Sequence, residues 1–171
     1  MIRIIGAVLI TAGAAAWGFL GVVRLRTRAK SLTALASALG AVKSEICDRL
    51  TPMPELLEQM EAEATYPANL LFKNASEKLS SLGNKPFSAI WGQAVKATPE
   101  LLLTPSEELV LTELGLSLGR YDITEQKSAI SYAQRRMEEY SRKAEAEREK
   151  NSKVHAFLGV AAGIFAVVIL L

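Results

Sequence analysis

The two ends of the chain are apolar and nearly free of charge, whereas the segment between them alternates hydrophobic and polar positions at helical spacing. No charged residue occurs from Ile4 to Val23. About twenty such residues are what a helix rising about 1.5 Å per residue needs to cross roughly 30 Å of hydrocarbon. From Val154 to Leu171 the only polar side chain is His155. The pattern predicts transmembrane helices over 4–23 and 154–171, with a helical, water-soluble segment over 24–153 between them.

Within the middle segment, Leu32, Leu35, Leu39, Val42 and Ile46 recur every three or four residues, the stripe of a buried helix face running from about Arg24 to Leu50. Thr51 and Pro52 then read as a cap and a first-turn proline for a second helix through about Glu63, and Pro67 opens a third that runs to Leu82. Gly83, Asn84 and Lys85 mark a turn. A fourth helix is expected over Pro86–Ala97, with Phe87, Ile90, Trp91 and Val95 on one side, followed by a loop around Pro99. Thr104, Pro105, Ser106 and Glu107 have the form of a capping box, so a fifth helix starts there, with an expected core face of Leu109, Leu111 or Thr112, and Leu116.

Gly119 suits the left-handed residue that ends a helix, and Asp122 with Glu125 caps the next. From there Ile123, Gln126, Ile130, Ala133, Met137, Tyr140 and Ala144 form a coiled-coil-like seam. No proline follows Pro105, so this last helix is expected to continue into the second span, about 70 Å in all. Glu138 with Arg142, Glu139 with Lys143, and Glu149 with Lys153 would support its exposed part as i,i+4 pairs. The fold class read from the pattern is all-α: an antiparallel bundle of about six helices flanked by N- and C-terminal transmembrane helices.

Charge placement orients the picture. The formal net charge is only +2, but all the acids lie between Glu45 and Glu149, and every base except Arg3 lies between Arg24 and Lys153. Arg24, Arg26, Arg28 and Lys30 follow the first apolar run, and Arg148, Lys150 and Lys153 precede the second. Bases beside a span mark its cytosolic side, so both helices are expected to enter from one face, with the middle segment in the cytosol and both termini outside. The rival reading is a secretory signal cleaved near Ala14, Ala15 and Ala16, which would leave a secreted or surface-anchored helical interaction domain. It requires the opposite charge bias. Arg24, Arg26, Arg28, Lys30, Lys150 and Lys153 are thus read as orientation residues facing anionic lipid headgroups. The basic cluster lacks the interleaved aromatics of a nucleic-acid platform. Gly159 and Gly163 form a G-x-x-x-G step suited to close helix packing in a bilayer.

The chemistry is mostly exclusion. Cys47 is the only cysteine and His155 the only histidine, so one chain builds neither an intrachain disulfide nor a Cys/His zinc cluster, and a histidine-based triad with Cys47 has no local partner. No phosphate loop, H-E-x-x-H or G-x-S-x-G occurs. Neither apolar run contains an acid or a base that would carry a proton or ion. Glu45, Asp48, Glu55, Glu58, Glu61 and Glu63 fall on amphipathic helices that need no site to explain them, and Asn74-Ala75-Ser76 is a chance glycosylation match. No cofactor, nucleic acid or small-molecule substrate is expected. What remains is a membrane-tethered helical interaction module.

Several stretches carry a family resemblance: Ala16, Trp17, Gly18 and Phe19; Ser44, Glu45 and Ile46 leading to Thr51 and Pro52; Leu118 and Gly119 to Asp122 and Gln126; and Glu149, Lys150, Asn151 and Lys153 followed by Leu158, Gly159 and Gly163. In this order and spacing the chain resembles the stage III sporulation protein AB family of endospore-forming bacteria. The resemblance implies a component of the channel-like apparatus between mother cell and forespore, in the mother-cell-derived outer forespore membrane. It also implies a soluble domain similar to the platform proteins of type II secretion and type IV pilus systems. The implied partners are the ATPase-like stage III sporulation protein AA and other membrane subunits of the same complex. Cys47, Asp48 and Arg49 stand where family members carry an aromatic residue, and His155 where the family is less polar.

Overall fold

The structure is a computed structural model that describes the backbone of residues 2–79, 86–119 and 122–170 and the side chains of 25–79, 86–119 and 122–150. Six α-helices and one turn of 3-10 helix account for nearly all of the described residues, and no strand occurs among them. The helices are α1 (Ile2–Cys47), α2 (Met53–Glu63), α3 (Ala68–Leu79), α4 (Phe87–Lys96), α5 (Pro105–Ser117) and α6 (Ile123–Leu170), with the 3-10 turn at Pro99–Leu101. The chain divides into two compact units, Arg28–Arg142 and the pair of end segments Met1–Thr27 with Lys143–Leu171. Among the described residues no helix is long and apolar enough to cross a membrane. The two expected spans, 4–23 and 154–171, lie outside the described side chains, as does the expected turn at Gly83, Asn84 and Lys85.

In the unit Arg28–Arg142, α1 is the central helix. The stripe Leu32, Leu35, Leu39, Val42 and Ile46 is buried throughout, and Ala34, Ala36 and Ala38 are buried beside it. Small residues there let neighbours approach on more than one side. Helix α6 runs antiparallel to α1, since the Thr33 hydroxyl meets that of Ser141 at 2.7 Å while Lys43 donates to Gln134 at 3.3 Å. The seam of α6 is buried at Gln126, Ile130, Ala133, Met137 and Ala144. Ile123, in the first turn, is 41% exposed.

Helix α1 ends earlier than its apolar pattern suggests. Leu50 takes φ 57°, a left-handed conformation more often given to glycine, and the Thr51 N–H reaches back to the Glu45 carbonyl at 3.0 Å. Thr51 therefore does not cap α2. Its hydroxyl is drawn to the Glu45 carboxylate at 2.8 Å, and Pro52 occupies the cap position without a side-chain hydrogen bond.

Helices α3, α4 and α5 pack through aromatic rings. Trp91 is fully buried, with Phe72 tilted against it at 5.9 Å between centroids and Phe87 stacked at 6.2 Å. The Asn74 amide spans α3 and the end of α4, donating to the Ala97 carbonyl at 3.2 Å and the Thr98 hydroxyl at 2.8 Å.

The buried face of α5 is Val110, Leu111, Leu114 and Gly115, whereas Leu109 and Leu116 are each 57% exposed. Leu111 alone of the expected face faces the core. Leucines lie on several sides of this helix, so its own sequence picks no direction. Two tertiary contacts do: Gly115 against Trp91, and Glu107 turned toward Arg28.

Two ion pairs on α6 are spaced at i,i+3. They are Arg136–Glu139 at 2.6 Å and Arg148–Glu145 at 2.5 Å, while Glu138 accepts from Gln134 at 3.3 Å.

Candidate functional site

Three polar nodes in the unit Arg28–Arg142 hold the helix ends in place. The first is Glu45, whose side chain is nearly buried near the end of α1. Its carboxylate accepts from Arg49 Nη1 at 2.7 Å, Thr51 Oγ1 at 2.8 Å and Gln59 Nε2 at 3.4 Å, tying α1 to the next turn and to α2. A carboxylate so placed has its charge distributed over three donors, which offsets the cost of desolvating it.

The second node is Glu107, 1% exposed. One oxygen accepts the Thr104 N–H at 2.7 Å, completing the capping box, and the other accepts Arg28 Nη2 at 2.6 Å. The bond crosses 79 residues of sequence. Close by in sequence, Ser31, fully buried, donates its hydroxyl to the Leu101 carbonyl at 2.8 Å, so α1 also fixes the 3-10 turn that leads into α5.

The third node is the turn from α5 to α6. Gly119 has φ 78°, and its N–H points at Gln126 Oε1 at 3.4 Å. The Asp122 carboxylate accepts the N–H groups of Thr124 at 2.8 Å and Glu125 at 3.1 Å, capping α6. Gln126, 5% exposed, is thus a buried amide with a partner.

Of the expected orientation residues, Arg26, Lys30 and Lys150 are exposed. Arg28 is not a free member of that cluster, because its guanidinium is committed to Glu107. Arg24, Lys153, Gly159 and Gly163 lie outside the described side chains. Farther along α6, Arg136 donates to Tyr140 at 2.7 Å and to Glu139 at 2.6 Å, with its guanidinium 4.7 Å from the Tyr140 ring centroid. The hydrogen bond to Tyr140 raises its pKa further, with smaller help from the Glu139 charge, so this cation persists at any physiological pH.

Between α1 and α6 runs an open groove of about 310 Å³ lined by Thr33, Ser37, Gln134, Glu138, Ser141 and Arg142. It has one acid, one base and hydroxyls but no histidine or cysteine. Cys47 is half-buried with a free thiol. Among the described residues no group of three or more metal-ligating side chains converges. The arrangement positions helices; its polar groups serve one another.

A family model for stage III sporulation protein AB matches residues 3–171. The chain belongs to the stage III sporulation protein AB family. The stage III sporulation protein AB of Bacillus subtilis (strain 168) is 28% identical over 172 residues, covering all of both chains. A solved structure of a stage III sporulation protein AB matches with a TM-score of 0.65 at 26% identity, covering 72% of this chain and 98% of that one. The protein thus has a role in sporulation. In this member of the stage III sporulation protein AB family, two stretches that carried the resemblance are the first and third nodes: Glu45 with Thr51, and Gly119 with Asp122 and Gln126. The node at Arg28 and Glu107 left only half a trace in the sequence. The capping box was legible, but nothing local pointed to a cation on α1.

Proposed function

We propose that the protein is a non-enzymatic membrane platform of the channel apparatus between mother cell and forespore. In this reading the chain is anchored by helices at 4–23 and 154–171 in the outer forespore membrane, and the unit Arg28–Arg142 faces the mother-cell cytosol. There it docks the ATPase-like stage III sporulation protein AA beside other membrane subunits. The observation that carries the reading is helix continuity. Helix α1 (Ile2–Cys47) and helix α6 (Ile123–Leu170) each include part of the unit Arg28–Arg142 and part of an apolar end segment. In this reading the unit Arg28–Arg142 is tethered at both ends, so both of its chain ends face the same bilayer. Cleavage of a signal near Ala16 would cut α1 in mid-helix.

The test is made in sporulating cells. The full chain is expected to stay in the membrane fraction through an alkaline carbonate wash, a reporter inserted near Asn84 to be cytoplasmic, and crosslinks from the soluble unit to reach the ATPase-like protein. Release by carbonate, or an extracytoplasmic reporter, would overturn the membrane part. Intact anchoring without any such crosslink would overturn the docking part.

A further inference from the structure

Two exposed faces of the unit Arg28–Arg142 are complementary to each other in shape and charge. On α5, Leu109 and Leu116 are both 57% exposed, two turns apart on one side, with Glu113 exposed between them. Two turns of helix separate such knobs by about 10 Å along the axis, leaving a slot about the width of an aromatic ring. With Glu107 buried against Arg28, the acids left on the outer side of α5 are Glu108 and Glu113, and the helix carries no base. On α6, Tyr132 is 50% exposed, with Ser128 and Arg135 exposed one turn to either side of it. Arg136 is occupied by Glu139 and Tyr140. Neither Glu113 nor Arg135 has an ion-pair partner among the described residues.

We propose that the protein self-associates, the Tyr132 and Arg135 face of α6 in one copy docking on the Leu109, Glu113 and Leu116 face of α5 in another. The tyrosine ring enters the slot between the leucines and Arg135 reaches Glu113. Pairing α5 with α5 is disfavoured because it sets Glu113 against Glu113, which selects unlike faces. A contact between unlike faces either closes reciprocally in a two-fold dimer or leaves one of each face free and propagates into a ring or filament. The patch is small beside the roughly 800 Å² per partner of a stable complex, so the contact is weak between free copies and effective where copies are held at high local concentration. The inference concerns contacts between copies and does not require the docked ATPase.

The experiment uses the full chain in membranes with Cys47→Ser, so that introduced thiols are the only ones. One tagged chain carries Thr112→Cys on α5 and a differently tagged chain carries Ser128→Cys on α6, which leaves the proposed contact residues in place. A short thiol crosslinker is expected to give a species bearing both tags, at least tenfold more abundant than like-with-like products. Glu113→Arg on both chains should lower it about tenfold, and adding Arg135→Glu should restore most of it. No mixed product, equal like-with-like products, or indifference to charge reversal overturns the proposal. Unchanged helicity and unfolding midpoint of each variant separate a lost contact from a lost fold. Loss of the mixed product with ATPase crosslinks intact would leave the platform reading standing.

Discussion

Gly115 lies so close to Trp91 that no side chain fits between them: a Cβ there would sit 2.6 Å from Trp91 Cδ1 and 3.1 Å from its Cβ. The indole nitrogen donates to the Leu111 carbonyl on the same helix at 2.7 Å, so the ring is held from two directions. Gly115→Ala should therefore overpack the junction of α4 and α5 by about 1–3 kcal/mol, despite alanine's better helix propensity. Chemical unfolding of the protein should show the loss as a lowered midpoint. An unchanged or raised midpoint would mean that Trp91 moves aside cheaply.

Arg28→Ala should be far more costly than a surface arginine change. It leaves the Glu107 carboxylate, 1% exposed, with only the Thr104 N–H as donor, and removing one partner of a buried pair typically costs about 3–5 kcal/mol. Glu107→Gln keeps an acceptor for the cap and should lose less. Arg26→Ala, on an exposed side chain, is the control and should stay within about 0.5 kcal/mol.

Glu45 and Thr51 should be coupled in a double-mutant cycle. Thr51→Val removes the hydroxyl donor at 2.8 Å, Glu45→Gln removes the charge, and the pair together should lose less than the sum by about 1 kcal/mol. Additive losses would show that the Thr51 hydroxyl is equally content with water.

Helix α6 runs unbroken from Ile123 to Leu170, 48 residues, through the boundary between the two units near Arg142. If that continuity matters to the apparatus, Ala144→Pro should abolish spore formation while the protein still accumulates and stays membrane-associated. Proline removes a backbone donor and clashes with the preceding turn, at about 3 kcal/mol or more. Normal sporulation in this variant would rule out a role for a rigid connection, with spore counts and fractionation as the two readouts.

Much of the fold was legible in the chain because its signals were local. A capping box at Thr104 and Glu107, a glycine at 119 with φ 78°, and an aspartate cap at 122 each act within one turn of backbone, and each appears where residue chemistry placed it. The stripes of α1 and α6 were legible for a related reason: their apolar residues occupy one face, so periodicity alone chooses the direction of burial. Thr51 misled because it had two possible acceptors, and the nearby Glu45 carboxylate won over the helix it precedes.

Spacing along the chain was therefore enough to specify the all-helical class of the described residues, the starts of α5 and α6, and the face that α1 and α6 turn inward. Packing between distant segments chose the rest. Helix α5 carries leucines on several sides, and the choice to bury Leu111 and Leu114 while exposing Leu109 and Leu116 came from Trp91 needing a glycine-sized gap and Glu107 needing Arg28. Those preferences are energies of contact between residues tens of positions apart, and they exist only once the chain has brought the partners together.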